Sequence, residues 1–211
     1  MPPLSHPVPT SATTHLGTTQ IGRSASLGNP SLPDVILVDS GDHEVGSSDK
    51  MTVHAQGLLH RAFSIFLVDR QGRILLQQRS FNKYHSGGLW ANTCCGHPRP
   101  GEGTTKAALR RLHEELGVTS TLTLQFTSSY FTSFPNGLKE NELVHIYFGA
   151  VLESAHPNPD EVNALAWMTL AELEQACARA PQDYTYWLRH YLNHHGAEMK
   201  AGIRHVLRSS V

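Results

Sequence analysis

The chain has 211 residues, which is enough for one well-buried core and too few for two comfortable domains. Hydrophobic residues make up 39% and charged residues 17%, and the formal net charge at pH 7 is -1. This balance predicts a soluble globular protein and argues against a nucleic-acid partner or binding to an anionic membrane. No apolar run reaches the roughly 18–20 residues of a bilayer span, and no secretory signal pattern is seen.

The three cysteines are Cys94, Cys95 and Cys177, an odd count that does not resemble a disulfide framework. We therefore expect a reducing environment and a cytoplasmic protein. Fourteen histidines are an excess for this length and make a metal site worth looking for.

Residues 1–31 are rich in Ser, Thr, Pro and Gly and contain few large apolar side chains. Such a segment buries too little surface to offset the entropy lost on ordering. We therefore predict a flexible tail over 1–31 and a single folded domain over 32–211.

The folded part is predicted to begin with a strand at 34–39, where DVILVD is rich in β-branched residues. Predicted strands at 61–69 and 73–80 flank Arg70-Gln71-Gly72, which is typical of a hairpin turn. The Gly- and Pro-rich segment 96–103 is predicted to be a loop.

A helix is predicted over 104–116, because four apolar residues fall on one stripe of a 3.6-residue period. These residues are Ala107, Ala108, Leu112 and Leu116. Thr104 or Thr105 is expected to cap the start of the helix, and Gly117 is expected to end it.

Further strands are predicted at 122–131 and 142–151, and further helices at 170–179 and across 184–209. Strands, a central helix, more strands and C-terminal helices together predict an α/β (α+β) fold, in which helices sandwich a mixed sheet.

The predicted central helix lies within a regular pattern of charged residues and glycines. Gly96 is followed after five residues by Glu102 and after seven more by Arg110-Arg111-Leu112-His113-Glu114-Glu115-Leu116-Gly117-Val118. This pattern resembles the Nudix box at every defining position but one, because Arg111 stands where that family has a glutamate. The resemblance implies a Nudix-like fold.

The exception changes the expected chemistry. Carboxylates three and four residues apart on a helix share a face and can hold a hard cation against a diphosphate. Arg111 introduces a positive charge there, and two like charges about 4 Å apart cost several kcal/mol at intermediate dielectric. We expect Arg111 to bind a phosphate directly and Glu115 to hold a Mg²⁺ that arrives with the substrate. Arg110 and Glu114 are expected to form an ordinary surface ion pair.

A second motif, Asn92-Thr93-Cys94-Cys95-Gly96-His97-Pro98, precedes the box. A cysteine immediately before Gly-His-Pro resembles the active-site motif of the type I isopentenyl diphosphate isomerases. Further matching pieces extend over residues 34 to about 200, namely Lys50-Met51-Thr52-Val53-His54, Gly57-Leu58-Leu59-His60-Arg61-Ala62-Phe63-Ser64, Tyr130, Glu140-Asn141-Glu142 and Trp187. The spacing of His54 and His60 and the long tail depart from other members.

Three histidines near loops and strand ends, with two carboxylates two residues apart, have the chemistry of a metal site. They are His54, His60, His97, Glu140 and Glu142. Side chains two apart on a strand leave on the same face, and this donor set suits Mn²⁺, Zn²⁺ or Mg²⁺. Spacing alone does not single these histidines out, but the resemblance implies that they are metal ligands.

Cys94 and Cys95 must face opposite ways on an extended chain, so only one of them can point into a pocket. Cys94 is expected to be a small buried apolar group. Cys95, beside a metal and basic residues, is expected to have thiolate character.

The resemblance implies that the chain interconverts isopentenyl and dimethylallyl diphosphate through a tertiary carbocation. Cys95 would handle a proton on one face, Glu142 with Tyr130 would do so on the other, and Trp187 would stabilise the cation. The diphosphate would be bound by Lys50, Arg79, Lys83 and Arg111.

Three alternatives remain open: a Nudix hydrolase, a cysteine hydrolase that uses Cys95 with a histidine base, and a catalytically silent binding module. No dinucleotide or flavin motif is present, so no redox cofactor is expected. The sequence indicates no oligomeric state.

Overall fold

The computed structural model describes residues 34–151 and 153–209. The tail predicted over 1–31 lies outside these ranges. The strands are β1 (Asp34–Val38), β2 (Glu44–Asp49), β3 (His60–Val68), β4 (Ile74–Arg79), β5 (Trp90–Ala91), β6 (Cys94–Gly96), β7 (Leu122–Ser133), β8 (Lys139–Ala150) and β9 (Val162–Met168). The α-helices are α1 (Lys50–Gln56), α2 (Thr104–Leu116), α3 (Leu170–Arg179), α4 (Tyr186–His194) and α5 (Gly196–Ser209).

Strand β3 is central to the sheet. It pairs in parallel with β8 along its whole length, from His60 opposite Glu142 to Val68 opposite Ala150. It also pairs antiparallel with β6, where Ser64 lies opposite Cys95. The remaining pairs, β3 with β1 and β4, β1 with β2, β4 with β5 and β9, and β7 with β8, are antiparallel. The sheet is therefore mixed, as predicted.

Alternate residues of β3 face two separate hydrophobic cores. Phe66 packs with Phe148 and with residues of α3, α4 and α5 on one face of the sheet. Ile65 and Leu67 pack with α2 on the other face, where Leu112 is fully buried. A leucine in such a position contributes about 1.5–3 kcal/mol by burial. The sandwich of helices around a mixed sheet is confirmed.

Helix α2 starts where it was predicted but not with the predicted cap. Its N-cap is Gly103, with no side-chain hydrogen bond, so the prediction of a Thr104 or Thr105 cap was wrong. Both threonines lie inside the first turn, and the Thr105 hydroxyl is instead 3.0 Å from the Tyr147 hydroxyl. Gly117 ends the helix in the left-handed conformation, at φ 65°.

The stretch 184–209 contains two helices, α4 and α5, instead of one continuous helix. The break is at His195, whose φ of -130° is not helical. The imidazole Nε2 of His195 lies 2.9 Å from Ser128 Oγ on β7, and Gly196 follows. The helix is therefore interrupted where the His195 side chain contacts the sheet and where Gly196, a weak helix former, follows. Among the described residues, no helix combines the length and apolar character of a membrane span.

Candidate active site

A cavity of about 370 Å³ opens where β3 begins, a size typical of small-ligand sites. Most of the residues predicted from the sequence line it: Lys50, Arg79, Lys83, Cys95, His97, Arg111, Glu115, Tyr130, Glu140, Glu142 and Trp187. His54 and His60 lie behind this surface and are fully buried. The structure therefore brings the predicted residues together around one cavity.

Strand register accounts for much of this arrangement. His60 and Glu142 are neighbours on parallel strands, and Tyr130 lies opposite Glu142 on β7. Glu140 and Glu142 leave β8 on the same face, because side chains alternate along a strand. On the other side of β3, Ser64 holds the position opposite Cys95.

Four of the predicted metal ligands already converge. One donor atom from each of His54, His60, His97 and Glu140 lies within 4.8 Å of all the others. Glu142 adjoins them, with its Oε1 at 2.8 Å from His97 Nε2 and 3.6 Å from His60 Nε2. These five side chains are called the histidine–glutamate cluster below.

The backbone selects the histidine tautomers that a metal requires. The His54 Nδ1–H donates to the Lys50 carbonyl at 2.7 Å, and the His60 Nδ1–H donates to the Leu58 carbonyl at 2.8 Å. Each Nε2 is then left as a lone-pair donor that points into the cluster.

The cluster also contains buried polar atoms that make no hydrogen bond. His54 Nε2 and Glu140 Oε2 lie 3.2 Å apart without forming one, and such atoms are costly unless they are satisfied. The Nε2 atoms of His60 and His97 face each other at 3.2 Å. A divalent cation would satisfy all of these donors at once, so the residues present fit a metal.

Charges in the cluster favour a cation as well. Burial opposes ionisation of Glu142, but the adjacent imidazoles of His60 and His97 outweigh it and hold the pKa of this carboxyl well below its usual range. The pKa of Glu140 is also lowered, because the adjacent imidazoles of His54 and His85 outweigh burial and the nearby Glu142. Burial lowers the pKa of His97 to about 4, so this imidazole is neutral at physiological pH.

His85 is a site residue that the sequence analysis missed. It is buried, its Nε2 lies 2.8 Å from Glu140 Oε1, and its ring stacks on Phe134 at 4.6 Å. It comes from the segment 80–89, where Gly88 has φ 77° and an added Cβ would meet the Phe81 ring at 2.6 Å. The positive φ favours glycine in that turn, and Lys83 and His85 of the same segment both line the cavity.

Cys94 and Cys95 face opposite sides of the sheet, as alternation on a strand predicts. Cys94 is fully buried against α2. Cys95 lines the cavity, with its Sγ at 3.1 Å from Asn92 Oδ1 and 3.5 Å from Ser64 Oγ.

The expectation of thiolate character for Cys95 was wrong for the protein without a metal. Burial raises the pKa of Cys95 to about 12 and outweighs the hydrogen bond from Ser64 and the positive charge of Arg79. Desolvation penalises the charged form of a thiol, and the sequence does not show how much water reaches it. Cys95 is therefore a neutral thiol that carries a proton.

Tyr130 and Trp187 complete the inner wall. The Tyr130 hydroxyl donates to Glu142 Oε2 at 2.6 Å, and burial raises the pKa of Tyr130 well above its usual value. Trp187 is only 4% exposed, and the Arg79 guanidinium lies over its ring at 5.2 Å. An aromatic face in this cavity can therefore hold a cation.

The opposite end of the cavity is a network of ion pairs. Arg111 contacts Glu114 at 2.8 Å, Glu115 at 2.5 Å and Glu161 at 3.2 Å. Glu161 also pairs with Lys83. We call these five side chains the arginine–carboxylate network. Glu161 was not predicted from the sequence. It forms ion pairs with Lys83 and Arg111, two of the residues expected to bind phosphate.

Both oxygens of Glu115 have partners, since Oε1 accepts from Arg111 and Oε2 accepts from Gln77 Nε2 at 3.1 Å. Arg110 pairs with Glu114 at 3.3 Å, as expected, and also with Glu102 at 2.8 Å. Glu115 thus has no free oxygen until Arg111 moves.

The chain is similar to known proteins over most of its length. Residues 58–191 match the NUDIX domain family. The chain is 48% identical over 153 residues to an isopentenyl-diphosphate Delta-isomerase of Serratia proteamaculans, which covers 72% of this chain and 86% of that protein. It is 48% identical over 154 residues to isopentenyl-diphosphate Delta-isomerase 2 of Aromatoleum aromaticum, with 73% and 82% covered. The chain belongs to the isopentenyl-diphosphate Delta-isomerase family of Nudix proteins.

Solved structures agree on the fold of this family member. A protein from Deinococcus radiodurans superposes with a TM-score of 0.59 at 20% identity, covering 69% of this chain and 89% of that one. A MutT NUDIX hydrolase from Burkholderia pseudomallei gives 0.52 at 26% identity, with 64% and 96% covered. The predicted Nudix-like fold is confirmed.

The Nudix match begins at residue 58 and so leaves out α1. In this isopentenyl-diphosphate Delta-isomerase family member, α1 supplies Lys50 and His54 to the site. The remaining predicted site residues fall within the matched range.

Proposed function

We propose that the chain interconverts isopentenyl diphosphate and dimethylallyl diphosphate by adding one proton to the alkene and removing another. One observation carries the proposal. A neutral thiol, an ionised carboxylate with a phenol partner, and a buried aromatic face share one cavity beside cationic side chains: Cys95, Glu142, Tyr130 and Trp187. The family to which the chain belongs supports the same reaction.

The reaction is balanced by two proton transfers. A proton added to one end of the double bond forms a C–H bond and leaves a positive charge on the tertiary carbon. Loss of a proton from the carbon on the other side forms the new double bond. Because the alkene is not activated, the acid must be well placed and shielded from water.

Cys95 is the proton carrier on one side of the substrate. Its neutral thiol can supply a proton, and the Ser64 hydroxyl at 3.5 Å can donate to the sulfur once that proton has left. Ser64 Oγ is in turn 3.1 Å from the Tyr191 hydroxyl, so a short chain of hydroxyl groups supports the sulfur.

Glu142 is the proton carrier on the other side. Its low pKa makes it an available base at neutral pH, and the Tyr130 hydroxyl at 2.6 Å stays protonated and can relay a proton. In the reverse reaction Cys95 and Glu142 exchange the roles of acid and base.

The carbocation is stabilised by the ring of Trp187. Because this side chain is buried, its interaction with a cation is less screened by water than on a surface. Arg79 already places a positive group over the ring.

The diphosphate is bound by Lys50, Arg79, Lys83 and Arg111. Arg79 has a buried Nε with no hydrogen-bond partner, so it offers a donor at once. Arg111 and Lys83 become available when the phosphate oxygens replace carboxylates of the arginine–carboxylate network.

The histidine–glutamate cluster would hold Mn²⁺, Zn²⁺ or Mg²⁺, and Glu115 would contact a Mg²⁺ bound to the diphosphate. The cation in the cluster would supply positive charge that keeps Glu142 ionised and fixed. Glu140 and the three histidines would hold that charge beside Glu142.

The test compares variants of the two proposed proton carriers with a variant of Cys94, the cysteine that faces the opposite side of the sheet. Isomerisation of isopentenyl diphosphate is followed by proton NMR with Mg²⁺ for the native chain and for Cys95→Ala, Glu142→Gln and Cys94→Ala. We expect Cys95→Ala and Glu142→Gln each to lower kcat by about 10²–10⁴-fold, the usual worth of a positioned acid or base. Cys94→Ala should keep kcat, since Cys94 faces the other core. A native chain that releases phosphate from nucleoside diphosphates and isomerises nothing would support the hydrolase alternative.

A further inference from the structure

Asn92 connects two of the reactive groups through one amide. We propose that Asn92 is a positioning residue that holds the Cys95 thiol and the Trp187 indole in fixed relation to each other. This inference rests on the proposed function, because it assigns to Asn92 the placement of an acid and of the group that stabilises the cation.

The orientation of the Asn92 amide is determined by the backbone. Its Nδ2 donates to the Ile65 carbonyl at 3.1 Å and to the Cys94 carbonyl at 3.0 Å. Both partners are acceptors, so the nitrogen must lie on that side. The side chain is fully buried, and no water competes for these bonds.

Because the position of Nδ2 is fixed, the position of the Asn92 Oδ1 atom is fixed as well. Asn92 Oδ1 accepts from Cys95 Sγ at 3.1 Å and from Trp187 Nε1–H at 3.2 Å. The two donors and the two lone pairs of the amide are all in use. A single oxygen thus fixes a side-chain torsion of Cys95 and the position of the indole edge.

These two groups have no other described hydrogen bond in common. Cys95 lies on β6 and Trp187 on α4, from parts of the chain that are distant in sequence. Asn92, in the turn between β5 and β6, is fixed to the sheet and reaches both. Without it, the thiol is free to visit other staggered rotamers, and small misplacements of reacting groups slow chemistry strongly.

Thr93 provides a matched control next to Asn92. It is also fully buried, its hydroxyl donates to the Leu75 carbonyl at 2.6 Å, and it accepts from Leu67 N–H at 2.9 Å. It therefore makes structural hydrogen bonds of the same kind, but neither of them reaches Cys95 or Trp187.

The experiment compares Asn92→Ala with Thr93→Val in the full chain with Mg²⁺. Both variants should lose thermal stability, because each leaves buried backbone groups without partners. For Asn92→Ala we expect kcat to fall about 10–100-fold, with KM for isopentenyl diphosphate within about twofold of the native value. Thr93→Val should keep both constants within about twofold.

A spectroscopic measurement adds a readout that a purely structural residue would not move. The chain has three tryptophans, so a ¹H–¹⁵N spectrum contains three indole signals, and Trp187→Phe identifies one of them. That signal should move upfield in Asn92→Ala, because its hydrogen bond is lost, and stay in place in Thr93→Val. If Asn92→Ala does not fold, Asn92→Ser gives the same comparison, with one hydroxyl in place of a two-ended amide.

Equal kcat losses in Asn92→Ala and Thr93→Val, or a KM increase that matches the loss in kcat, would overturn the positioning role. An unmoved Trp187 signal would do the same. If the native chain does not isomerise the substrate, the proposed function fails and this inference falls with it. Native activity together with an unimpaired Asn92→Ala removes only the role of Asn92.

Discussion

The two ends of the cavity differ in whether their charged and polar groups are already paired. In the histidine–glutamate cluster, His54 Nε2 and Glu140 Oε2 are buried 3.2 Å apart without a hydrogen bond. In the arginine–carboxylate network, the charged groups are already paired, with Arg111 against three carboxylates. The first end is ready to take up a cation, whereas the second must exchange partners before it binds an anion. Arg111, which stands where the Nudix pattern has a glutamate, pairs with the carboxylates of Glu114 and Glu115 on the same helix.

The largest effect is expected from disabling the cluster. His54→Ala removes one of four converging donors, and isomerisation should fall by at least about 100-fold. In the native chain, a metal at 100 times its Kd adds about 2.7 kcal/mol, or roughly 5–10 °C in Tm. His54→Ala should lose most of that shift in a thermal melt with Mn²⁺ against chelator.

His145→Ala serves as the control for this prediction, because His145 pairs with Asp42 at 2.7 Å and does not line the cavity. It should keep the metal-dependent shift in Tm. An undiminished shift in His54→Ala would mean that the metal binds elsewhere.

A smaller effect is expected at the other end of the cavity. Arg111→Ala should raise KM for isopentenyl diphosphate by about 10–100-fold, since hydrogen bonds to charged groups contribute about 1.5–3 kcal/mol. Arg111→Lys keeps the charge but loses the planar guanidinium, so its KM should lie between that of the native chain and that of Arg111→Ala. Steady-state kinetics decide this, and an unchanged KM in Arg111→Ala would contradict phosphate binding by Arg111.

Glu161→Gln should change KM in the opposite direction. It removes a carboxylate that competes with phosphate for Arg111 and Lys83. Partly exposed ion pairs are worth up to about 1 kcal/mol, so KM should fall about two- to fivefold. If KM rises instead, Glu161 positions these cations and does not compete for them.

The smallest effect is expected for Glu114→Gln. This side chain is 39% exposed and pairs with Arg110 and Arg111 at the wall of the cavity. The stability lost should stay below about 1 kcal/mol, and Tm should fall by less than about 4 °C. A tenfold change in kcat or KM would contradict this and would show that Glu114 positions Arg111 for the substrate.

Sequence patterns predicted the parts of the fold whose period is regular. The apolar run of β3 and the apolar stripe of α2 correspond to two cores on opposite faces of the sheet. The alternation of side chains along an extended chain separated Cys94 from Cys95. These successes depend on local geometry, which neighbouring residues determine.

Other elements could not be predicted from the pattern of their own residues. Strand β5 has two residues, α1 has seven, and β9 lacks a clear alternation. Each is stabilised by partners distant in sequence, as β9 is by its pairing with β4. Tertiary packing, and not local preference, places such segments.

The unpredicted parts of the site have the same origin. Glu161, His85 and Asn92 matter because of what they contact across the fold, and no spacing rule connects them to their partners. The raised pKa of Cys95 likewise results from desolvation by surrounding residues that are distant in sequence.

The most direct test of the account is isomerisation by the native chain in D₂O with Mg²⁺, followed by NMR. The two-carrier account predicts dimethylallyl diphosphate with deuterium in a methyl group and no release of inorganic phosphate. Dimethylallyl diphosphate without deuterium would contradict proton exchange through Cys95 and Glu142. Phosphate release without isomerisation would contradict the isomerase itself.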